Sequence, residues 1–357
     1  MKIFNIELLP ATYGDCILIE YGQIDQLKRI LIDGGTGGTR HAISSRFAVL
    51  EEHDRNLELM VITHIDRDHI EGTLRILEQE TLSFGIRDVW FNGWKHLQEQ
   101  FDAEEAFGAE QGEYVSAAIL KHGLEWNNDF EGHAVVIKSD GQLPTIMLPG
   151  GMKLTLLSPS AKSLRDLSPV WIKDLKKEGL IPGFGEVVNE VIAEGEDEAF
   201  GSESPDVDQL NQLPFDEDHS EANASSIAFI AEYGGRRVLF LGDAQPSQIY
   251  ESLKKIQPQG KIKIDLCKIS HHASRGNTSP SLLELLDCRY FAISTNGSNY
   301  YHPHQETIAR IIKRSSPGVT LYFNYRTDHN SMWDNQALKH IHNYVTVYGA
   351  QGIKIEL

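Results

Sequence analysis

Residues 57–72 read LELMVITHIDRDHIEG. The first seven are an apolar run of strand length, and TLRILEQE (73–80) follows with helical spacing. The segment therefore predicts a strand, a polar loop and a helix. The loop carries His64, Asp66, Asp68 and His69, with Gly72 just beyond. Imidazole nitrogens and carboxylate oxygens are ligands for Zn²⁺, Mn²⁺ or Fe. The plain alternative is a polar loop that only caps the next helix. One His-x-Asp would fit that alternative. Four donors within six residues point to a metal loop instead, with room for two ions.

Outward from this unit, the pattern remains mixed α/β. Residues 2–9, 15–21 and 29–33 read as strands, and 40–53 as a helix. Residues 152–160 read as a strand and 161–178 as a helix. SSIAFIAEYGGRRVLFLGD (225–243) predicts a hairpin turning at Gly234–Gly235. Helices at 246–256, 280–286 and 304–314 alternate with strands at 264–269, 289–294 and 319–323, and 352–357 ends the chain as an edge strand. Strand-rich segments at both ends with helices between them predict two packed sheets with helices outside. One domain over 1–357 is expected, with insertions at about 95–150 and about 180–222.

Three further strand ends carry metal-type residues: LIDGG (31–35), FLGDA (240–244) and KISHHAS (268–274). Together with the loop at 64–69, they resemble the motifs of metallo-β-lactamase-fold hydrolases. The resemblance implies an αββα four-layer sandwich and a metal-activated water. Asp66 stands where most members have a second His. That variant is similar to the hydrolase domain of the competence DNA-uptake proteins ComEC/Rec2 and its stand-alone relatives. Asn223, Ser225, Ser226, Gly242, Asp243, Lys268, His271, His272, Ser274, His302 and Pro303 match that subgroup, while Ala273 replaces its usual Gly. The resemblance implies metal ligation by His64, Asp66, Asp68, His69, Asp243 and one of His271 and His272, with Asp243 bridging. One or two Zn²⁺ or Mn²⁺ ions are expected. The third-motif His of the family is missing. Asn223 lies at that position, and His219 is a displaced candidate that reads more simply as a solvated residue.

Roles follow for several neighbours. Asp66 or Asp68 would orient the attacking water. His302 would stabilise an oxyanion or protonate the leaving group, or else be a turn residue fixed by Pro303. Lys268 and Arg275 would contact phosphate or serve only as charges. Asp33 would support the metal loop. Trp90, Trp94 and Tyr300 would line a pocket, stack on a base or pack a core. If a strand continued through 271–272, the two histidines would face opposite ways.

The net charge is −18, yet 13 of the 51 acidic residues lie between Glu186 and Glu221, leaving only −5 elsewhere. After Asp243, 13 Lys/Arg outnumber 8 Asp/Glu. Acidity is thus local, and a phosphate-bearing substrate remains compatible. The acidic stretch reads as a solvated loop. No apolar run nears the ~20 residues of a membrane span. Three Cys without a CxxC, and an N-terminus unlike a signal peptide, predict a cytoplasmic protein with free thiols. The expected function is a metal-dependent phosphodiesterase or nuclease acting on nucleic acid or nucleotide. The alternatives are hydrolysis of a lactone, thioester or other ester, and a non-catalytic binding role. Partner proteins would be expected if the chain serves a defence locus.

Overall fold

The computed structural model describes residues 1–99, 110–138, 140–178 and 204–357. Two mixed sheets face each other. The first orders its strands Ile353–Glu356, Lys2–Leu8, Ile17–Gln23, Gln26–Ile32, Leu59–Val61 and Val89–Trp90. The second orders Tyr344–Tyr348, Val319–Phe323, Tyr290–Ile293, Leu266–Lys268, Arg236–Phe240, Ala228–Tyr233, Met152–Ser158 and Thr145–Leu148.

Period-two alternation explains the layering, because successive side chains leave a strand on opposite faces. Ile17 and Ile19 enter the core between the sheets with Phe229, Val238, Phe240 and Leu266. Leu18 and Leu31 point the other way, onto Ile43, Ile70, Leu74 and Leu77 of the helices Arg40–Ala48 and Arg67–Leu77. Ile230 and Leu239 do the same on the second sheet, against Ile249, Leu253, Leu282 and Ile308. Three apolar layers separate four structural ones, which is the αββα sandwich expected.

The hairpin Ala228–Phe240 turns at Gly234 and Gly235, both at positive φ (61° and 85°), and pairs Tyr233 with Arg236. Glycine adopts that conformation without a Cβ penalty. The strand Ile353–Glu356 sits at the edge against Lys2–Leu8, as the sequence predicts. The edge strand Tyr344–Tyr348 and the helix Gln336–His342 have no counterpart in the sequence reading. Part of each expected insertion lies outside the described residues. Within the first, Glu110–Lys121 is helical and Thr145–Leu148 joins a hairpin with Met152–Ser158. Within the second, residues 204–222 are ordered against the body: Val207 is buried in the second sheet's outer core. All three cysteines are free and buried. No helix among the described residues is long and apolar enough to cross a membrane.

Candidate metal centre

The ligand-type residues sit at strand ends on one rim of the sandwich. Asp33 follows Gln26–Ile32, the loop 64–69 follows Leu59–Val61, Asp243 follows Arg236–Phe240, and His271–His272 follow Leu266–Lys268. Strand ends suit such residues because the sheets hold the backbone while the tips are free to vary.

Asp243 is the centre of the cluster and is buried. Its Oδ2 lies 3.2 Å from His69 Nε2, 3.7 Å from His271 Nε2, 3.8 Å from His64 Nε2 and 3.9 Å from His272 Nε2. Asp68 Oδ2 is 3.2 Å from His272 Nε2 and 3.8 Å from His69 Nε2, and the two Nε2 atoms are 3.2 Å apart. On the other side, Asp66 Oδ2 is 3.5 Å from His64 Nε2. Asp68, His69 and His272 thus form one group around Asp243, and His64 with Asp66 forms another.

The surrounding hydrogen bonds set the tautomers. His69 Nδ1 meets Asp33 Oδ2 at 2.8 Å and donates to it. His272 Nδ1 donates to the Ser294 carbonyl at 2.8 Å. Each Nε2 is then a lone pair, and the two lone pairs face each other. Thr63 Oγ1 donates to Asp33 Oδ2 at 2.8 Å, and His64 Nδ1 lies 3.0 Å from both Thr63 Oγ1 and Ser226 Oγ. With Nδ1 donating to these hydroxyls, His64 Nε2 is an acceptor too; among the described residues it has no hydrogen-bond partner, nor does Asp243 Oδ1. Buried acceptors without donors are costly. Converging acceptors with fixed outer partners are what a cation site requires.

Spacing agrees with this. A tetrahedral ion with bonds of about 2.1 Å holds its ligand atoms about 3.4 Å apart. The separations of His69 and His272 from each other, from Asp68 and from Asp243 bracket that value, at 3.2 to 3.9 Å. The residues present therefore fit a divalent ion. Titration points the same way. Burial would lower His272, but Asp15 and Asp243 push it up to about 10. Burial would raise Asp243, yet the imidazoles of His69, His271 and His272 hold it well below the ordinary carboxylate range. The pocket demands positive charge, from protons or from a metal.

The histidine pair departs from the strand geometry considered above. The strand ends at Lys268, and His271, His272 and Ala273 take positive φ of 47°, 51° and 69°. Both rings therefore face Asp243 rather than opposite sides. Such a turn costs on the order of 1–3 kcal/mol per residue. The His271 N–H donating to the Gly242 carbonyl (3.0 Å) and the Ser274 N–H to the His271 carbonyl (2.7 Å) help hold it.

Lys268, expected to contact phosphate, is instead 1% exposed and ion-paired with Asp15, whose other oxygen lies 3.3 Å from His272 Nδ1. Its ammonium is turned inward, away from the surface. Asp33 takes the supporting position expected, accepting from the Thr63 N–H at 2.8 Å as well as from His69. Trp90 and Trp94 are core residues. Arg275 is exposed, and its backbone N–H donates to His304 Nδ1 at 3.0 Å.

His302 is buried beside the pair, its ring centroid 5.2 Å from His271 and 6.0 Å from His272. Burial, with the imidazoles of His271 and His304 nearby, holds it well below the ordinary histidine range. Tyr300 stacks 6.0 Å from His302 and meets Tyr13 edge-on at 6.0 Å.

The position of the missing third-motif His belongs to a small polar network. Asn223 Nδ2 donates to Asp218 Oδ2 at 2.6 Å and lies 3.3 Å from His271 Nδ1. His271 Nδ1 donates to Asn277 Oδ1 at 2.9 Å, and Asn277 Nδ2 donates to Asp218 at 2.9 Å. His219 is exposed and lines a groove with Lys162 and Gln245 instead. Asp218 and Asn277 carry no motif in the sequence: Asp218 is submerged in an acidic run, and its only signal is lying five residues before Asn223.

No family model matches the chain. ComE operon protein 3 of Bacillus subtilis (strain 168) is 30% identical over 132 residues, 35% of this chain. The match spans only 16% of that protein's length. Among solved structures, the metallo-β-lactamase fold protein YhfI from Bacillus subtilis aligns over all of both chains, with a TM-score of 0.40 and 11% identity. Zn²⁺-bound PqqB from Methylobacterium extorquens gives 0.41 and 10% over 99% of this chain and all of that one. CmlA, a diiron β-hydroxylase from Streptomyces venezuelae, gives 0.43 and 12% over all of this chain and 54% of that one.

Proposed function

We propose that the chain is a metal-dependent phosphodiesterase whose substrate is a nucleotide or nucleic acid. The observation that carries the metal dependence is the convergence of His64, His69 and His272 Nε2 on Asp243, with His64 Nε2 and Asp243 Oδ1 lacking a hydrogen-bond partner among the described residues. The ligands would be His64, Asp66, Asp68, His69, Asp243 and His272, with His271 beside Asp243. A divalent ion there would supply Lewis-acid charge and a water of lowered pKa. Asp66 in place of the usual second His hardens the site and favours Mn²⁺ alongside Zn²⁺. The phosphodiester reading is supported by the Asp66 variant of the metal loop and by the likeness to the competence-operon protein.

The protein's own groups divide the remaining work. Asp66, whose side chain is 43% exposed beside His64, would orient a water. His302, kept neutral, is suited to donate one N–H to a substrate oxygen and unsuited to deliver a proton as imidazolium. Asp33, Thr63 and Asp15 hold the ligand rings and take no direct part. The test is hydrolysis of bis(p-nitrophenyl) phosphate with Mn²⁺ or Zn²⁺ by wild type and Asp243→Asn. Metal-dependent turnover that falls at least ~100-fold in the variant is expected. Protein that binds metal by elemental analysis yet never cleaves the diester would overturn the reading in favour of an ester or lactone substrate.

A further inference from the structure

A groove of about 460 Å³ opens beside the metal loop. Thr36, Gly37, Arg40, Arg67, Glu71 and Arg75 line it; Arg75 is paired with Glu78 at 3.1 Å, so Arg40 and Arg67 supply its positive charge against the one carboxylate of Glu71. In a chain of net charge −18, that local excess of positive charge needs a reason. Glu71 is occupied within the protein: it accepts from the Gly37 N–H at 2.9 Å and pairs with Arg67 at 3.2 Å and Arg75 at 3.9 Å. Arg40, the first residue of its helix, makes no ion pair among the described residues.

The groove adjoins the metal loop through Arg67, which lines it and lies between Asp66 and Asp68 in the chain. Thr12 Oγ1 meets Thr36 Oγ1 at 2.9 Å on the groove side. Two residues on, Gly14 lies so close to Asp68 that a Cβ there would fall 1.8 Å from the Asp68 carbonyl oxygen. Tyr13 stands between them, edge-on to Tyr300, which is 54% exposed. Arg67 is the neighbour of both Asp66 and Asp68 and the common cation near Tyr13 and Tyr300. The aromatic pair thus has both Asp68 of the metal loop and Arg67 of the groove as charged neighbours.

Resting on the phosphodiesterase reading above, we infer that this groove is a second, metal-free phosphate subsite for a single-stranded nucleotide chain. The scissile phosphate would sit at the metal centre, a base would stack on Tyr300 and Tyr13, and a neighbouring phosphate would reach Arg40 and Arg67. Guanidinium suits this task because its planar fork matches phosphate oxygens. Exposed aromatics beside a cationic groove are the usual platform for unpaired bases. A mononucleotide or a small diester is too short to use both the metal centre and the groove.

Two measurements test this separately from the diesterase reading. The first compares kcat/KM for a single-stranded 12-mer, in DNA and RNA versions, with that for bis(p-nitrophenyl) phosphate. In Arg40→Ala the ratio of the two is expected to fall about tenfold through KM, and Arg40→Lys should recover most of it. An unchanged ratio, with both substrates turned over, overturns the subsite. The second uses fluorescence anisotropy of a labelled 12-mer on the full chain in EDTA and requires no turnover. Arg40→Ala should weaken binding at least threefold and reduce the salt slope by about one. Equal binding by wild type and variant, or none by either, overturns the subsite even if the small diester is cleaved. Competition by polyphosphate as strong as by the 12-mer would overturn the base-stacking part.

Discussion

At the scale of single residues, burial separates groups that act from groups that support them. Lys268 is the clearest case. Its sequence context, three residues before a paired histidine motif, reads as a phosphate contact, but its ammonium is spent on Asp15 inside the protein. Removing one partner of a buried pair leaves the other charge stranded. Lys268→Met is therefore expected to lower unfolding free energy by about 3 kcal/mol in urea titrations. The KM of any surviving metal-loaded enzyme should change little. A large KM effect at unchanged stability would return Lys268 to the substrate. The sequence could not distinguish these outcomes, because a lysine's partner is decided by which strand end lies opposite. Asp15 and Lys268 are 253 residues apart. The clustered His and Asp residues were legible for the opposite reason: four of them lie within one loop, where spacing alone brings them together.

At the scale of elements, the glycines of two motifs explain how the loop is aimed. Gly34 follows Asp33, and Gly72 lies in the first half of the helix Arg67–Leu77. A Cβ on Gly72 would fall 2.0 Å from the Gly34 carbonyl oxygen, and one on Gly34 would fall 2.1 Å from the Thr73 nitrogen. The Gly34 N–H donates to the His69 carbonyl at 2.7 Å and the Gly72 N–H to the Gly35 carbonyl at 3.0 Å. Backbone lies on backbone there, and Asp33 reaches His69 because nothing intervenes. Gly72→Ala is expected to cost about 3 kcal/mol and to weaken metal binding, read by chelator competition. Full metal affinity in a stable variant would show that the contact is dispensable.

The short helix Trp94–Gln98 carries a pH dependence. His96 is buried, its Nδ1 accepts from the Gly93 N–H at 3.2 Å, and its Nε2 donates to the Gly132 carbonyl at 3.3 Å. Burial, with Lys95 adding like charge, lowers it from 6.5 to about 3. The unfolded chain therefore binds this proton before the folded one does. The stability contributed by neutral His96 is complete above pH 6.5 and is lost as pH falls toward 3. Between pH 6.5 and pH 5 the loss is about 2 kcal/mol, at 1.36 kcal/mol per pH unit. Urea titrations at pH 7.5, 6.5 and 5.0 should show that slope in wild type and a shallower one in His96→Gln. Parallel slopes would refute it. This role has no sequence signature, since a lone histidine near a helix start carries no periodic signal.

At the scale of the whole molecule, the sheets and their helices were legible because alternation and helical spacing repeat over many residues. The metal rim was legible because it lies at strand ends. The polar network of Asp218, Asn223 and Asn277 was not, because it is assembled from segments with no shared pattern. The same topology makes the ligand set a link between the two halves of the sandwich. Asp66, Asp68 and His69 hang from the first sheet, and Asp243, His271 and His272 from the second. An ion bound by both sets would stabilise the contact between the sheets and would have no such site in the unfolded chain. A ligand that binds only the folded state stabilises it by about 2.7 kcal/mol at a hundredfold excess over Kd. Thermal unfolding should therefore shift upward by several degrees when Zn²⁺ or Mn²⁺ is added to EDTA-stripped protein, and the shift should grow with metal concentration. Asp243→Asn sits where both sets meet, so it should abolish the concentration dependence while the stripped variant still melts cooperatively. A metal-induced shift of the same size in that variant would place the ion on one sheet alone and remove Asp243 from its coordination.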